Sequence, residues 1–232
     1  MEKARIGIST ASFCLWDVTP TTKLSISRDL DFSRVEIGLS TVKMLKEFTL
    51  LTSLFNQLDA FCHVTINVPW CRVRYGKNKQ TQTVIDYLKL LDQMLKIDAF
   101  VFRIDCISDF SLLNSSGLNI YLENSEKEDS WIKLRDITKS YDYQCVLDIN
   151  RATRNENYLE KMLDELSDRI AEVQVNGYID GFYRVPLGTS KQYHLLDKVK
   201  DLNVPFIIEG LFPPHDYQAI LQEKEIIKSK LS

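Results

Sequence analysis

The chain has 232 residues, 44% of them hydrophobic and 26% charged, with a formal net charge of −3. That is enough apolar material for one substantial core, and the mildly acidic balance excludes a global basic field drawing the protein to nucleic acid or anionic lipid. No apolar run reaches the roughly 18 residues of a membrane span, and the start MEKARIGISTASF lacks an apolar region followed by a small-residue cleavage site, so a cytoplasmic protein that does not engage membranes is expected.

In chain order, the first strand is read at 4–10 (ARIGIST), and the following stretch 11–33 carries Thr, Ser and Asp with little amphipathic pattern, predicting a short or absent helix. RVEIG at 34–38 leads to a helical pattern at 41–58. AFCHVTI at 60–66 leads to the clearest helix, 79–96, where Val84, Leu88, Leu91, Met94 and Leu95 recur at helical spacing. DAFVFRID at 98–105 is followed by 106–117, again with little pattern. Strands at 118–123, 143–149, 170–176 and 204–210 precede helical patterns at 128–141, 155–168, 190–202 and 214–230. The strand-like runs lack sustained alternation, as parallel strands covered on both faces do. Eight strands alternating with about six to eight helices, undivided by any linker, predict an α/β fold: a single (β/α)8 TIM barrel over 1–232 with one or two shortened helices. The competing open doubly wound sheet lacks any GxGxxG or GxxxxGK[ST] phosphate loop.

In such a barrel the strand C-terminal ends converge on one mouth, where chemistry sits. In order, those ends supply Glu36, His63, Arg103 with Asp105, Glu123, Asp148, Gln174 and Glu209, and the loops beyond add Asn67, Asn124, Asn150, Arg151, Asn176 and Arg184. Any one of these could simply meet water or cap the next helix. Burying so many polar groups without partners would cost several kcal/mol each, so a common polar site explains them better. Glu123, Asp148, Gln174 and Glu209 form an oxygen-rich set that suits one divalent cation, Mn²⁺, Mg²⁺ or Co²⁺ by preference, with Zn²⁺ compatible. The amide of Gln174 is a weaker ligand than imidazole. Arg103, Arg151 and Arg184 either offset these carboxylates or grip an anionic substrate. The basic, aromatic stretch PWCRVRYGKNK (69–79) reads as a mobile loop over the mouth, with Arg72, Arg74 or Lys77 reaching the anion, and Trp16 and Trp70 either line the pocket or pack against helices. The five cysteines show no CxxC pair and read as structural thiols, with Cys62, Cys106 and Cys145 in or beside apolar runs.

Taken together, RVEIG, CHVTINVPW, IYLEN, VLDIN, VQVNGYIDGFYRVPLG and FIIEG resemble the strand motifs of the xylose isomerase-like TIM barrels, a superfamily of sugar isomerases, epimerases, related dehydratases and AP-endonucleases. The resemblance covers nearly the whole chain through short, degenerate motifs. It implies that Glu123, Asp148, Gln174 and Glu209 ligate a single catalytic metal, with Gln174 departing from the usual seventh-strand His. It also implies that Glu123 and Glu209 act as an acid/base pair on opposite faces of an enediolate, and that His63, Glu36, Arg103, Arg151 and Arg184 contact substrate. Arginines stand where the AP-endonucleases need further histidines, and arginine is no metal ligand at neutral pH, which argues against a nuclease.

The function expected from this is a metal-dependent isomerase or epimerase acting on a small anionic sugar or sugar-like compound. Two alternatives stay open: a dehydratase of a keto-acid or polyol on the same site, and a catalytically inactive barrel that binds an anionic ligand or a partner protein. A small-molecule substrate is the expected partner, and homo-oligomerisation is compatible with the sequence.

Overall fold

The computed structural model describes residues 5–127, 129–154 and 157–231. Eight parallel strands close into a barrel. In chain order the strands are β1 (Ile6–Ser9), β2 (Arg34–Gly38), β3 (His63–Asn67), β4 (Ala99–Arg103), β5 (Ile120–Glu123), β6 (Gln144–Asp148) and β7 (Ile170–Val175), then a two-stranded hairpin of β8 (Gly177–Ile179) and β9 (Phe182–Val185), and finally β10 (Phe206–Ile208). The barrel order is β1-β10-β7-β6-β5-β4-β3-β2, and it closes where Ile6 pairs with Phe206 and Ile8 with Val35. The expected strand 4–10 and the expected helices starting at 128 and 155 each begin outside the described residues.

Most connecting helices form where apolar spacing and caps agree. The helix Lys79–Met94 starts at Asn78, whose side chain accepts from Thr81 N–H, and it buries Val84, Ile85, Leu88 and Leu91. The stretch 106–117 carries only the four-residue helix Ser111–Asn114, as its weak pattern predicts. The stretch 11–33 does not follow its prediction: it holds a ten-residue helix, Pro20–Asp29. Its start signal is Thr19 as N-cap with Pro20 at the first position, and its buried stripe is only Leu24, Ile26 and Ser27, too narrow to register as amphipathic. The 41–58 pattern is broken into Val42–Thr49 and Phe55–Leu58, separated by a 3₁₀ turn.

Two apolar regions hold the barrel together. The larger lies between strands and helices and includes Ile8, Val35, Ile37, Phe100, Phe102 and Leu147. The alternate residues Ala99, Val101, Tyr121 and Val146, with Ala171, form a separate small cluster on β4 to β7, the apolar half of the lumen. The rest of the lumen is polar. Ser9, Glu36, His63, Thr65, Asn67, Glu123, Glu172 and Gln174 are all buried there, which departs from the apolar filling usual for such barrels. All five cysteines are free, and Cys145 alone is buried; Cys62 and Cys106 are exposed and half-buried, contrary to expectation, because they flank β3 and β4 rather than lie in them.

Barrel closure leaves no room beside β1 at Gly7: a Cβ there would lie 2.6 Å from Ile207 Cδ1 and 2.8 Å from both Cβ and O of Arg34. Gly7→Ala should therefore destabilise the fold by about 1–3 kcal/mol, read as a lower denaturation midpoint in urea with unchanged slope. A midpoint equal to wild type would show that this contact is not limiting.

Candidate active site at the barrel mouth

A cavity of about 400 Å³ opens at the C-terminal end of the barrel. It is lined by Asn67, Trp70, Arg103, Glu126, Asp148, Asn150, Arg151, Arg154, Asn176, Tyr183, Arg184 and Glu209. Seven of the twelve are ionisable. The expected mouth residues Arg103, Asp148, Arg151, Arg184 and Glu209 are brought together here, whereas Glu123 and Gln174 sit just below in the lumen, fully buried.

The carboxylates are not free. Arg151 makes an ion pair with Glu123, places Nε 3.2 Å from Asp148 Oδ2, and donates its backbone N–H to Asp148 Oδ1 at 3.0 Å. Asp148 thereby also caps the short helix Ile149–Thr153, which fixes both partners. Asn67 donates to the other oxygen of Glu123 at 3.2 Å. Arg184 donates to Glu209 Oε1 at 2.7 Å. Burial disfavours the Arg151 charge, but Glu123 and Asp148 outweigh it and hold the guanidinium more firmly protonated than usual; Glu209 does the same for Arg184.

Arg184 comes from the hairpin β8–β9, which the sequence reading missed although Asp180-Gly181 between apolar residues is a hairpin signal. Its backbone lies in the left-handed region at φ +63°, uncommon for a bulky residue, and its carbonyl is held by Leu211 N–H at 2.6 Å. A Cβ on Gly210 would lie 2.8 Å from Pro186 Cα, so glycine lets the hairpin's exit pack on the end of β10. Tyr183 and Arg154 are further mouth residues not anticipated, the guanidinium of Arg154 lying 4.3 Å from the Tyr183 ring centroid and pairing with Glu126.

Beneath the mouth, Glu36 accepts from Ser9 Oγ at 2.7 Å and meets the Gln174 amide at 2.6 Å. Burial, then the neighbouring Glu209 and Glu172, push the Glu36 carboxyl well above the usual range. An amide can present either NH₂ or carbonyl oxygen to such a group. In this structure Gln174 Nε2 donates to Glu36 Oε2, and Gln174 Oε1 is buried without a partner. Glu36 is thus part of the lumen network rather than of the cavity wall.

His63 does not reach the mouth. It opens β3 opposite Arg34 at the N-terminal end of the barrel, with Nε2 3.0 Å from Glu172 Oε2 and Nδ1 3.5 Å from Asp98 Oδ2. The strand begins at His63 rather than three residues earlier, so the residue that β3 sends to the mouth is Asn67. The 69–79 stretch is also anchored: Tyr75 is fully buried, Arg74 donates to Asp105 O and Lys77 faces Asp109, leaving Trp70 as its cavity-lining residue. Trp16 is buried, donating Nε1–H to Phe212 O at 3.1 Å.

The four expected metal ligands do not fit a divalent ion in this arrangement. The Arg151 guanidinium bridges Glu123 and Asp148, Arg184 closes on Glu209, and Gln174 is turned to Glu36. Among the described residues no group of three or more His, Cys, Asp or Glu side chains is placed to hold a metal ion.

Mn²⁺ or Co²⁺ should therefore leave the wild-type Tm unchanged. Arg151→Ala, which uncovers Glu123 and Asp148, should melt lower and recover part of the loss with either ion; a wild-type Tm that rises with metal would overturn this. The Glu209 carboxyl gives a second expectation. Burial raises it, Arg184 opposes, Asp148 and Glu123 add to the rise, and the balance lies at about 7 against 4.5 for an ordinary glutamate. With the folded value above the unfolded one, the folded state binds more protons between them, so this contribution to stability is full below about 4.5 and lost as pH rises through about 7. Glu209→Gln lacks that dependence, so its Tm relative to wild type should improve as pH rises across this window; a constant difference would contradict it.

No family model and no curated protein sequence matches the chain. Solved structures do. A 3-keto-D-glucoside 4-epimerase from E. coli, in its apo form, aligns with TM-score 0.67 at 14% identity, covering 98% of this chain and 100% of that one. A probable 3-DHS dehydratase from Bacillus anthracis, involved in petrobactin synthesis, aligns with TM-score 0.63 at 13% identity, covering 97% and 96%. The IolI protein with a bound zinc atom aligns with TM-score 0.62 at 14% identity, covering 97% and 95%. The chain has the fold of the xylose isomerase-like TIM barrels.

Proposed function

We propose that the barrel mouth binds a small, polar, anionic, sugar-like compound and isomerises or epimerises it by proton transfer, with Glu209 moving the proton. The observation that carries this reading is Glu209 itself, a cavity-lining carboxyl whose proton is held to about 7. A group poised near the working pH serves as base in one half-reaction and acid in the other. The shared fold with an epimerase and a dehydratase supports the same class of chemistry.

In this mechanism ionised Glu209, oriented by Arg184 on Oε1, takes a proton from the carbon beside a carbonyl. The electron pair moves to the carbonyl oxygen, and the permanently charged Arg151 guanidinium in the cavity wall stabilises the enediolate formed. The proton of the neighbouring hydroxyl passes to the former carbonyl oxygen, so that a new carbonyl forms on the first carbon as Glu209 returns its proton to the adjacent one. Epimerisation needs a second donor on the opposite face. Glu123, expected for that role, lies off the cavity under Arg151 and Asn67, so the geometry favours single-base isomerisation. No step runs through a divalent ion, since the donor set does not fit one here.

A second reading rests on the same ion pairs: a barrel whose mouth carboxylates are all closed by arginine binds its ligand without turning it over. Incubation with three- to six-carbon ketoses, aldoses and sugar acids in D₂O separates the two. The catalytic reading expects deuterium at carbon, and Glu209→Gln should lower that exchange by at least about 100-fold while ligand still binds. Exchange unaffected by Glu209→Gln would sink it, and binding without exchange in wild type would leave the second reading standing.

A further inference from the structure

We propose that the mouth selects a singly charged polyhydroxy carboxylate, a sugar acid, and that Arg103 is its anchor. This rests on the reading of the mouth as a small-molecule site, and holds whether or not the bound molecule reacts.

Four guanidiniums line the cavity. Three are closed on acidic partners: Arg151 on Glu123 and Asp148, Arg184 on Glu209 and Arg154 on Glu126. Arg103 differs. Among the described residues no carboxylate makes an ion pair with it, its guanidinium lies 4.7 Å from the centroid of the Trp70 ring, and its Nε is buried without a hydrogen-bond partner. Stacking on an aromatic face steadies a guanidinium while leaving its N–H edge open, the edge that forks onto two oxygens. A buried N–H without a partner is costly, so Arg103 is a donor set waiting for an acceptor.

Arg184 Nε is orphaned as well, but on a guanidinium already closed on Glu209, and two asparagines of the cavity lining add an orphaned atom each. Asn67 Oδ1 and Asn150 Nδ2 are buried without partners on side chains that are themselves 8% and 2% exposed. One accepts and the other donates. Hydroxyl groups do both, so a chain of hydroxyls beside the anion satisfies the two together. Trp70 and Tyr183, both substantially exposed, supply aromatic surface for the C–H side of such a molecule.

The charge count selects carboxylate over phosphate. One uncommitted guanidinium matches one negative charge, and a phosphate dianion would need a second cation from arginines already closed on carboxylates. The place where barrels of this kind often bind phosphate, the N-terminus of a short helix after the seventh barrel strand, is also taken. Here that helix is Leu187–Ser190, and its Leu187 and Gly188 N–H groups donate to the buried carboxylate of Glu223 at 2.6 and 3.0 Å.

The test is calorimetric titration of the full chain at low salt with five- and six-carbon aldonates and uronates, their neutral parent sugars and the matching sugar phosphates. Sugar acids should bind at least about tenfold more tightly than the parents and than the phosphates. Arg103→Gln should erase that preference while leaving parent-sugar affinity in place, and Arg103→Lys, which keeps the charge but loses the fork, should retain part of it. Should Arg103→Gln fail to fold, a change in Trp70 fluorescence on acid binding to wild type, lost in Trp70→Phe, reads the same contact. Equal affinity for neutral sugars, tighter binding of phosphates, an unaffected Arg103→Gln, or no acid bound up to about 10 mM overturns the proposal. Acid-selective binding without deuterium exchange removes the catalytic reading and keeps the anchor; exchange on neutral sugars without acid preference does the reverse.

Discussion

Five carboxyl groups lie buried inside this barrel or at its mouth: Glu36, Glu123, Asp148, Glu172 and Glu209. Uncompensated charges at such depth would cost more than a domain of this size can spare. The structure answers this in three ways: guanidinium counter-charge at the top, hydrogen bonds from Ser9 and Gln174 in the middle, and an imidazole with a hydroxyl at the bottom. The polar half of the lumen and the position of the hairpin both follow from that requirement. Arg184 in particular reaches Glu209 only because β8 and β9 fold back over the rim.

The two ends of the barrel are chemically separate. At the mouth, arginines from the end of β4, a short helix with its C-cap and a hairpin surround an open cavity; at the base, His63 joins Glu172 across the lumen to Asp98 beside the strand. The arginines of the mouth pairs are partly open to solvent; at the base Glu172 is fully buried and Asp98 is partly exposed. This division matches the general rule that conserved chemistry gathers at strand C-termini while the opposite end serves stability.

Much of this was legible in the sequence. Apolar runs such as DAFVFRID and IAEVQVN, separated by helix-length stretches, carry the barrel, and strand-end polarity carries the mouth. Register was less legible. His63 and Asn67 belong to one apolar stretch, and which of them faces the mouth depends on where β3 starts, which hydrogen bonding to β2 decides. The role of the arginines was harder still. Composition can show that three arginines stand beside three carboxylates, but only distance shows which pairs close, and Arg103 emerges as uncommitted by that comparison. The Pro20–Asp29 helix was hidden for a different reason: its signal is a cap and a proline rather than an apolar stripe.

The hydrogen bond between Gln174 and Glu36 has a consequence for how this site can change. Position 174 is committed below the mouth, to the buried carboxyl of Glu36. Replacing it by histidine would supply a metal donor, but would remove the amide that Glu36 relies on and leave Arg151 still seated between Glu123 and Asp148. Replacing Arg151 alone would free two carboxylates without a fourth ligand to complete them. The two positions are therefore epistatic: any mutational or design route between this charge-neutralised mouth and a metal centre must alter both, and each single step lands on a less stable intermediate.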